Sequence, residues 1–594
     1  MEISHQLVVD LTSQHIEMLP LPETPSFAAE LGLHLYRDSN SDLQEARIII
    51  TPGPLAHVSG PGVQRLIITT HSPLTGRIVQ VNLEASDAFL QACARHKLRA
   101  IHIRGRAQSP IALGLSPEPQ LISVSQVEVQ NGNFLFHINP QAPGDLCALY
   151  NTFSRNVAPG TGLGAAFHRH HLTGIFASPG SVESPEPSPH FTDILRLIAA
   201  NPALLGEFGF TNHTPAAVYD LLAVRNIIRP PYHNLAALTC GRSLDALPEC
   251  PGCPVQCHKR IGATDLPVPH YLELHAINTL LIHPNPEAFQ ALYQMLTAAG
   301  VDPVPLAAAL PPDHPPVTAQ NLQQHLSNWQ RPHTRCLTIP PLQLQHMLPT
   351  TLALFTEPGG PVFQHTPTWN CELLRKPFPI PSDDLTTSIP LIVQQRHLLA
   401  AFDLLGVCPY LALAVGPEEI AQLHTRLTRS ELSAAQLLAY GRRLVDQRVA
   451  LNSSHSQAVD ITSPIRETLP LETVEKVDRA LEQYHQLRMP SSTCAKPEHI
   501  AITHPAIREI VQTMHRAHLA DSQDITLAFR QHTIVTAGRR TRLAETLLQQ
   551  LPANTVLIAM PTLRYRLPAT ALAQDHTFIA PNDSETRTLL HRIP

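Results

Sequence analysis

The hydrophobic periodicity of the chain changes near residue 180, and this change limits the fold more than any other feature. Before it, short β-branched runs alternate with Gly/Pro turns, which is typical of strands. Three such runs are Arg47–Thr51, Leu66–Thr70 and Ala100–Arg104. From about Phe191 onwards, apolar residues recur at spacings of three and four, which is typical of helices. The sequence therefore predicts an α+β protein with a β-rich N-terminal domain followed by mainly helical domains.

The helical pattern is clear in several segments, and one helix, Asp87–His96, is predicted inside the β-rich part. Two proline-rich stretches, 301–345 and 357–390, lack this periodicity and are predicted to be loops. The predicted helices after the change of period include Ile194–Ile198, Ala288–Ala299, Leu391–Leu405, Pro417–Leu427 and Ser433–Val449.

The last hundred residues differ again. A helix is predicted at Ala501–Ala517, followed by a strand, helix, strand order at Asp524–Ala537, Thr541–Leu551 and Thr555–Met560. This order predicts a small C-terminal α/β appendage. A chain of 594 residues is long enough for three or four domains. We place them at 1–182 (β-rich), 183–410 (mainly helical, with a cysteine cluster), 411–494 (helical) and 495–594 (the appendage, of unknown role).

Composition and charge exclude several classes of partner. A formal net charge of −6 argues against binding to nucleic acid. The N-terminus lacks the basic and apolar regions of a secretory signal, and no uncharged apolar run reaches the length of about 18 residues that a membrane helix needs. The nearest run, Leu398 to Gly416, is interrupted by Asp403. We therefore expect a cytoplasmic protein, in which clustered cysteines indicate metal or redox chemistry before disulfides.

Three of the ten cysteines, Cys250, Cys253 and Cys257, lie within eight residues in a C-x2-C-x3-C pattern. Gly252 and two prolines keep this loop open. Iron-sulfur clusters take thiolate ligands and often draw the fourth from far along the chain. As a second hypothesis, the three cysteines bind zinc with His258 as the fourth ligand. As a third, they are thiols that bind no metal. The candidates for a fourth thiolate are Cys93, Cys147, Cys240, Cys336, Cys371, Cys408 and Cys494.

Among these, Cys408 has the most distinctive setting. It follows Asp403-Leu-Leu-Gly406-Val407, where an apolar helix ends at a glycine, and a proline comes next. A cysteine there is held at a rigid helix end.

The two cysteine motifs together resemble the tungsten-containing aldehyde:ferredoxin oxidoreductase family, and the match spans roughly residues 5 to 490. The appendage is not covered by the resemblance. Further segments similar to the family are Gly53–Leu55, Ser72–Gly76, Ile101–Gly105, Pro159–Ala165, Leu172–Ile175, Gly416–Glu419, Ala439–Arg443 and Glu482–Arg488.

The resemblance implies an N-terminal domain of the pterin-binding type and a tungsten or molybdenum atom held by the dithiolenes of two pterins. It also implies a [4Fe-4S] cluster beside one pterin. The implied ligands of the cluster are Cys250, Cys253, Cys257 and Cys408. The residues implied to bind the pterins and a Mg2+ ion between their phosphates are Arg65, Asn82, Asn156, Val157, Gly162, Leu163, Gly164, Asp403, Gly406 and Val407.

Within this set the implied roles differ. Arg65 would hold phosphate, since a guanidinium suits phosphate oxygens. Asn82 and the carbonyl of Val157 would reach the magnesium ion. The glycines at 162 and 164 would allow the backbone to approach the cofactor, and the Asp403 motif would bind a pterin ring.

The chain also departs from the family pattern. Asn156 stands where the family has an arginine, with Arg155 one place early, and Gly160 replaces another arginine. Asn82 is followed by Leu-Glu-Ala in place of the usual Ser-Gly-Gly. The second pterin motif corresponds to Asn278–His283, which has no glycine or carboxylate. The segment near the metal corresponds to Gly359–Phe363, with a histidine offset at position 365.

Two functions are compatible with these features. The first is an aldehyde:ferredoxin oxidoreductase-like enzyme, which oxidises an aldehyde to a carboxylate and passes electrons through the cluster to a ferredoxin-like acceptor. Its acid-base residue is not identified, and His365, His270 and Glu273 are candidates. The second is a catalytically degenerate member that keeps the cluster as an electron-transfer or scaffolding subunit. Either form could be a homodimer or a subunit of a complex.

Overall fold

The computed structural model describes most of the chain up to residue 488 and four strands beyond it. The described residues are 4–21, 27–38, 47–123, 134–178, 188–199, 244–247, 250, 253–262, 266–282, 285–311, 314–332, 336–339, 344, 347–362, 368, 385–453, 463–467, 469–488, 527–530, 532–537, 556–559 and 577–579.

A six-stranded mixed sheet organises the N-terminal part. Its strand order is β2-β1-β6-β3-β4-β5, with β1 and β6 parallel and every other neighbouring pair antiparallel. The strands are β1 (His5–Asp10), β2 (His15–Pro20), β3 (Arg47–Pro52), β4 (Arg65–Ser72), β5 (Arg77–Glu84) and β6 (Leu98–Arg104).

Both faces of this sheet are buried. Ile48 and Ile50 of β3 belong to one apolar cluster, whereas Ile49 between them belongs to another. The alternation follows because successive side chains of a strand point to opposite faces. Helix α1 (Ala28–Asp38) covers the face that holds Ile49. The central strands therefore read as continuous β-branched runs, as the sequence predicted.

A second, four-stranded sheet has the order β8-β7-β10-β9. Its strands are β7 (Ile111–Gly114), β8 (Gln120–Ser123), β9 (Phe134–His137) and β10 (Leu172–Phe176). Two helices accompany the sheets. Helix α2 (Asp87–Arg95) follows β5 and confirms the predicted helical insertion, and α3 (Leu163–Arg169) precedes β10.

Helices dominate the described residues from 188 to 488. They are α4 (Thr192–Ala199), α5 (Tyr271–Leu281), α6 (Pro286–Ala299), α7 (Pro303–Ala309), α8 (Leu322–Ser327), α9 (Leu348–Phe355), α10 (Leu385–Leu405), α11 (Pro417–Thr428), α12 (Ala434–Ser453), α13 (Ser463–Arg466) and α14 (Leu471–Arg488). The helices predicted from apolar spacing are present. None of the helices described is both long and apolar enough to cross a membrane.

The prediction of loops in the proline-rich stretches was wrong in three places. Helices α7 and α8 lie within 301–345, and α10 begins at Leu385 and contains Pro390. Asp302 caps α7 by accepting a hydrogen bond from the Val304 amide, and Pro303 takes the first helical position. Proline is favourable there because its missing amide hydrogen has no partner in the first turn.

The C-terminal strands form a four-stranded sheet in sequence order, β13 (Leu527–Arg530), β14 (His532–Ala537), β15 (Val556–Ala559) and β16 (Thr577–Ile579). The strands predicted in this region are present, and the two helices predicted there lie outside the described residues. The α+β class is confirmed, while the domain boundaries stay predictions.

Candidate metal and cofactor site

Three of the four cysteines predicted to bind a cluster lie on the connection of one hairpin. Strands β11 (Leu244–Ala246) and β12 (Lys259–Ile261) pair antiparallel, and the Leu247 amide donates a 3.0 Å hydrogen bond to the His258 carbonyl. Within the connection, the Cys253 amide donates to the Cys250 carbonyl at 3.2 Å. The hairpin therefore closes the base of the loop on which the three thiols lie.

The fourth cysteine, Cys408, is fixed by a tight crossing between two glycines. Gly406, after the end of α10, has a φ of +58°, and a Cβ placed on it would lie 2.5 Å from the Gly53 Cα. No side chain fits there, so glycine is required on conformational and steric grounds. Beyond the crossing, the Cys408 amide donates to the Gly62 carbonyl at 2.7 Å.

The structure brings the four thiols into one neighbourhood. Burial raises the pKa of the Cys257 thiol, and the thiols of Cys250, Cys408 and Cys253 raise it further. The same influence acts between Cys250 and both Cys408 and Cys253. Cys253, Cys257 and Cys408 also pack against one apolar cluster. Four thiolates this close repel one another unless a positively charged group lies between them, and together they form a soft donor set that fits an iron-sulfur cluster.

No group of three or more His, Cys, Asp or Glu side chains is arranged to hold a single metal ion in the part of the chain that the structure describes. Other candidate cysteines lie elsewhere. Cys93 and Cys147 belong to the core of the N-terminal sheets, and Cys336 contacts Thr338 at 3.1 Å. The remaining three candidates fall outside the described residues: Cys240, Cys371 and Cys494.

Beside the thiols, Glu84 at the end of β5 contacts three basic side chains. Its Oε1 accepts from Arg65 Nη1 at 3.0 Å, its Oε2 accepts from Arg155 Nη2 at 3.0 Å, and His258 Nε2 lies 3.3 Å from Oε1. Burial alone would raise the pKa of Glu84, but Arg65 and Arg155 hold it well below its usual range. The carboxylate is therefore ionised and balances buried guanidinium charge.

Arg65 and the other polar groups predicted to bind a pterin are bonded to one another. Arg65 Nε donates to Asn82 Oδ1 at 2.5 Å, and Asn82 Nδ2 donates to Asp403 Oδ1 at 3.0 Å and to the Val407 carbonyl at 2.9 Å. The second carboxylate oxygen of Asp403 accepts from Arg448 Nη2 at 2.8 Å. A continuous chain of bonds thus joins β4, β5, the end of α10 and helix α12.

A cavity lies next to this chain of bonds, and Val157 contributes to its wall. Four arginines and three carboxylates line it: Arg65, Arg155, Arg396, Arg448, Glu84, Glu357 and Asp403. Because the guanidinium of Arg65 and that of Arg155 already bond Glu84, a phosphate group would have to displace that carboxylate. In this arrangement the residues do not fit the phosphates of a pterin cofactor.

The glycine-rich segment packs against protein and does not line the cavity. A Cβ on Gly162, whose φ is +80°, would lie 2.4 Å from Ser72 Oγ, and one on Gly164 would lie 2.1 Å from the Cys147 carbonyl oxygen. Ser72 Oγ in turn donates to the Thr161 carbonyl at 2.7 Å. Close packing of two loops explains these glycines, and contact between a cofactor and Gly162, Leu163 or Gly164 stays a prediction.

Asn156 lies beside two buried carboxyl groups. Its side chain interacts with Glu273 and Asp302, whose pKa values burial raises to about 8 and about 7 respectively. Glu273 Oε2 accepts from the His270 amide at 2.9 Å, which caps α5. Burial, aided by Arg155, lowers the pKa of His270 to about 3. Of the acid-base candidates, His270 and Glu273 thus lie in this buried group, and His365 lies outside the described residues.

Sequence analysis missed Glu84, Arg155 and Arg448 as parts of the site. One signal was available for Glu84, because it is two residues after Asn82, and in the strand β5 the two side chains therefore share a face. Arg448 gave no such signal, since its contact with Asp403 joins helices 45 positions apart.

Comparison with known proteins identifies the N-terminal part. Residues 6–132 match the family model described as "Aldehyde ferredoxin oxidoreductase, N-terminal domain". The chain is also similar to a solved structure, "Active site complex BamBC of Benzoyl Coenzyme A reductase in complex with 1,5 Dienoyl-CoA", with a TM-score of 0.60 and 12% identity over 82% of this chain and 94% of that chain. At this identity the similarity concerns the fold.

No curated protein matches the chain. The N-terminal match confirms the family resemblance for residues 6–132, whereas the cysteine motifs and the glycine-rich segment lie outside the matched range. That match supports an oxidoreductase, and residues 6–132 of the chain form an aldehyde ferredoxin oxidoreductase N-terminal domain.

Proposed function

We propose that this chain is a divergent electron-transfer subunit that holds a [4Fe-4S] cluster on Cys250, Cys253, Cys257 and Cys408. The observation that carries the proposal is that Cys253 and Cys257 of the cysteine loop and the distant Cys408 pack against the same apolar cluster. Cys250 lies on the same hairpin connection as Cys253 and Cys257. When bound, the cluster would supply one-electron transfer. The protein would supply four soft ligands, an apolar packing surface and a fixed distance between the loop and the helix end.

The setting of the thiols supports exchange of electrons with a partner. All four cysteines are half-buried, so a cluster bound to them would be partly shielded from solvent and partly accessible. A ferredoxin-like protein is the partner that the family resemblance suggests. The similar solved structure is by its title an active site complex, which supports the role of a subunit in a larger assembly.

The experiment is iron and sulfide analysis of the chain purified without oxygen, together with its visible spectrum. We expect about four irons per chain in the wild type. Cys408→Ser and Cys253→Ser should lose the cluster to the same extent, because each removes one of four ligands. Cys93→Ser is the matched control, since Cys93 is buried in α2 and should leave the iron content unchanged.

Two results would refute the proposal. The first is a Cys408→Ser variant with the iron content and spectrum of the wild type. The second is stoichiometric zinc in place of iron in the wild type, which would support a zinc site on the cysteine loop.

A second candidate function is oxidation of an aldehyde to a carboxylate at a tungsten or molybdenum bis-pterin centre, with Mg2+ between the pterin phosphates and a ferredoxin as acceptor. The match of residues 6–132 to the family's N-terminal domain favours it, and the bonds that occupy Arg65, Asn82 and Asp403 count against it. The same samples test it, since tungsten or molybdenum in stoichiometric amount would support the enzyme over the electron-transfer subunit.

A further inference from the structure

Glu84 contacts basic side chains from three segments of the chain. Arg65 comes from β4, Arg155 from the loop before α3, and His258 from the end of the cysteine loop. Each of the three basic side chains is at most 8% exposed, and Glu84 itself is 16% exposed. Charges at such depth must be paired to be tolerated. The single carboxylate therefore holds the three segments together.

The geometry of this group is that of an oxyanion held by arginines. One oxygen of Glu84 accepts from Arg65 and the other from Arg155, both at 3.0 Å. A phosphate would offer the same guanidinium groups more oxygens and more charge. With Glu84 present, however, a phosphate would meet a carboxylate of like charge at the position it needs.

We propose that Glu84 is an intramolecular substitute for a bound phosphate: its carboxylate closes the Arg65/Arg155 pair to phosphate and, through His258, fastens the cysteine loop to the sheet. Arg65 and Arg155 without Glu84 form a phosphate-binding pair. With Glu84 they form part of the protein core.

The test is binding of inorganic phosphate to the full-length chain, measured by calorimetry against chloride at equal ionic strength. The wild type is expected to show no saturable binding at this pair. Glu84→Gly, which empties the position, and Glu84→Gln, which keeps the shape of the side chain, should each show saturable phosphate binding. Their affinity should be at least about tenfold, or about 1.4 kcal/mol, above the weakest binding that the calorimeter detects for the wild type. Adding Arg65→Gln to either variant should abolish the gain.

Asp10→Asn is the matched control. It also removes a carboxylate from an arginine, the 3.2 Å pair with Arg104, but that arginine is 44% exposed. The control should bind phosphate no better than the wild type, which would show that a buried pair of arginines is needed.

Three results would overturn the proposal. One is a wild type that binds phosphate as tightly as the Glu84 variants do and that loses this binding when Arg65→Gln is introduced. Another is a pair of folded Glu84 variants that gain no binding. If neither variant folds in chloride buffer, recovery of folded protein in phosphate supports the proposal and failure to recover overturns it. None of these readouts depends on iron, so the cluster assignment and this inference can fail separately.

Discussion

Two carboxyl groups buried beside Asn156 keep their protons at a pH at which exposed carboxyls are ionised. Burial, with the neighbouring Asp302, raises the pKa of Glu273 from 4.5 to about 8. In the unfolded chain Glu273 releases its proton near 4.5, so between the two values the folded state binds more protons. Stability contributed by this group therefore falls as pH rises through that window.

Glu273→Gln should remove this dependence, because a neutral amide can still accept the hydrogen bond from the His270 amide. As the pH rises from about 5 to about 8, the free energy of unfolding of the variant should increase relative to that of the wild type. The increase should be about 1.4 kcal/mol per unit of pKa difference. Urea unfolding at both pH values measures this. Glu472→Gln, at an exposed position, is the control, and parallel pH profiles for wild type and Glu273→Gln would contradict the assignment.

Gly406 is the residue on which the position of Cys408 depends. Gly406→Ala forces a Cβ to within 2.5 Å of the Gly53 Cα at a φ of +58°. The expected loss in the free energy of unfolding is about 1–3 kcal/mol or more from backbone strain alone. Denaturant unfolding checks it. Gly144→Ala is the control, since its Cβ would meet only the His168 ring at 3.1 Å, and equal losses in the two variants would contradict the role given to the crossing.

At the scale of elements, helix α12 is attached to the site through Arg448. This side chain donates to Asp403 Oδ2 and to Gln80 Oε1, both at 2.8 Å, and thereby ties α12 to α10 and β5. Arg448→Gln should lower the free energy of unfolding by about 1.5–3 kcal/mol, because it leaves a charged acceptor without its partner.

The control for Arg448 is Lys476→Ala in α14. Lys476 pairs with Glu472 at 2.7 Å but is 49% exposed, and such surface pairs contribute about 0.3–0.5 kcal/mol. Denaturant unfolding of both variants decides the comparison. A loss for Arg448→Gln no larger than for Lys476→Ala would show that α12 is held by apolar contacts alone.

Most helices and strands were predictable from the sequence because the residue pattern that specifies each one lies within the segment itself. Strands such as β3 follow from a β-branched run, and α6 follows from apolar spacing. Helix α7 was missed because its prolines indicated a loop, whereas Asp302 supplies the cap that lets Pro303 begin a helix. Prolines alone do not exclude a helix when a capping residue precedes them.

The candidate site was predictable only in part, for a physical reason. Cys250, Cys253 and Cys257 are recognisable because their spacing is short and chemically specific. The pairing of Arg65 with Glu84 depends on the register of β4 and β5, and the third partner, Arg155, comes from a loop 71 positions from Glu84. Contacts of this kind are set by tertiary packing and leave no local pattern in the sequence.

At the scale of the whole molecule, the six-stranded sheet is an inner layer with apolar clusters on both faces. Ile67 and Ile68 are neighbours in β4, and they belong to different clusters. Ile67→Ala and Ile68→Ala should therefore each cost about 2–5 kcal/mol of unfolding free energy. Met18→Ala on β2, at 39% exposure, should cost far less.

Thermal or denaturant unfolding of these three variants tests the layer arrangement directly. A sheet with one solvent-facing side would tolerate one of the two isoleucine substitutions. An effect of Ile67→Ala as small as that of Met18→Ala would mean that the face covered by α1 is not part of the core.

The distance in sequence between Cys408 and the cysteine loop also affects when the proposed site can form during synthesis. About 150 residues separate Cys257 from Cys408, and at translation rates of about 5–20 residues per second the interval between them is on the order of ten seconds. During that interval the nascent chain holds three of the four proposed ligands and lacks the fourth. The proposed four-thiolate site therefore cannot be complete until Cys408, just beyond the end of α10, has been synthesised, and its maturation belongs to a late stage of folding.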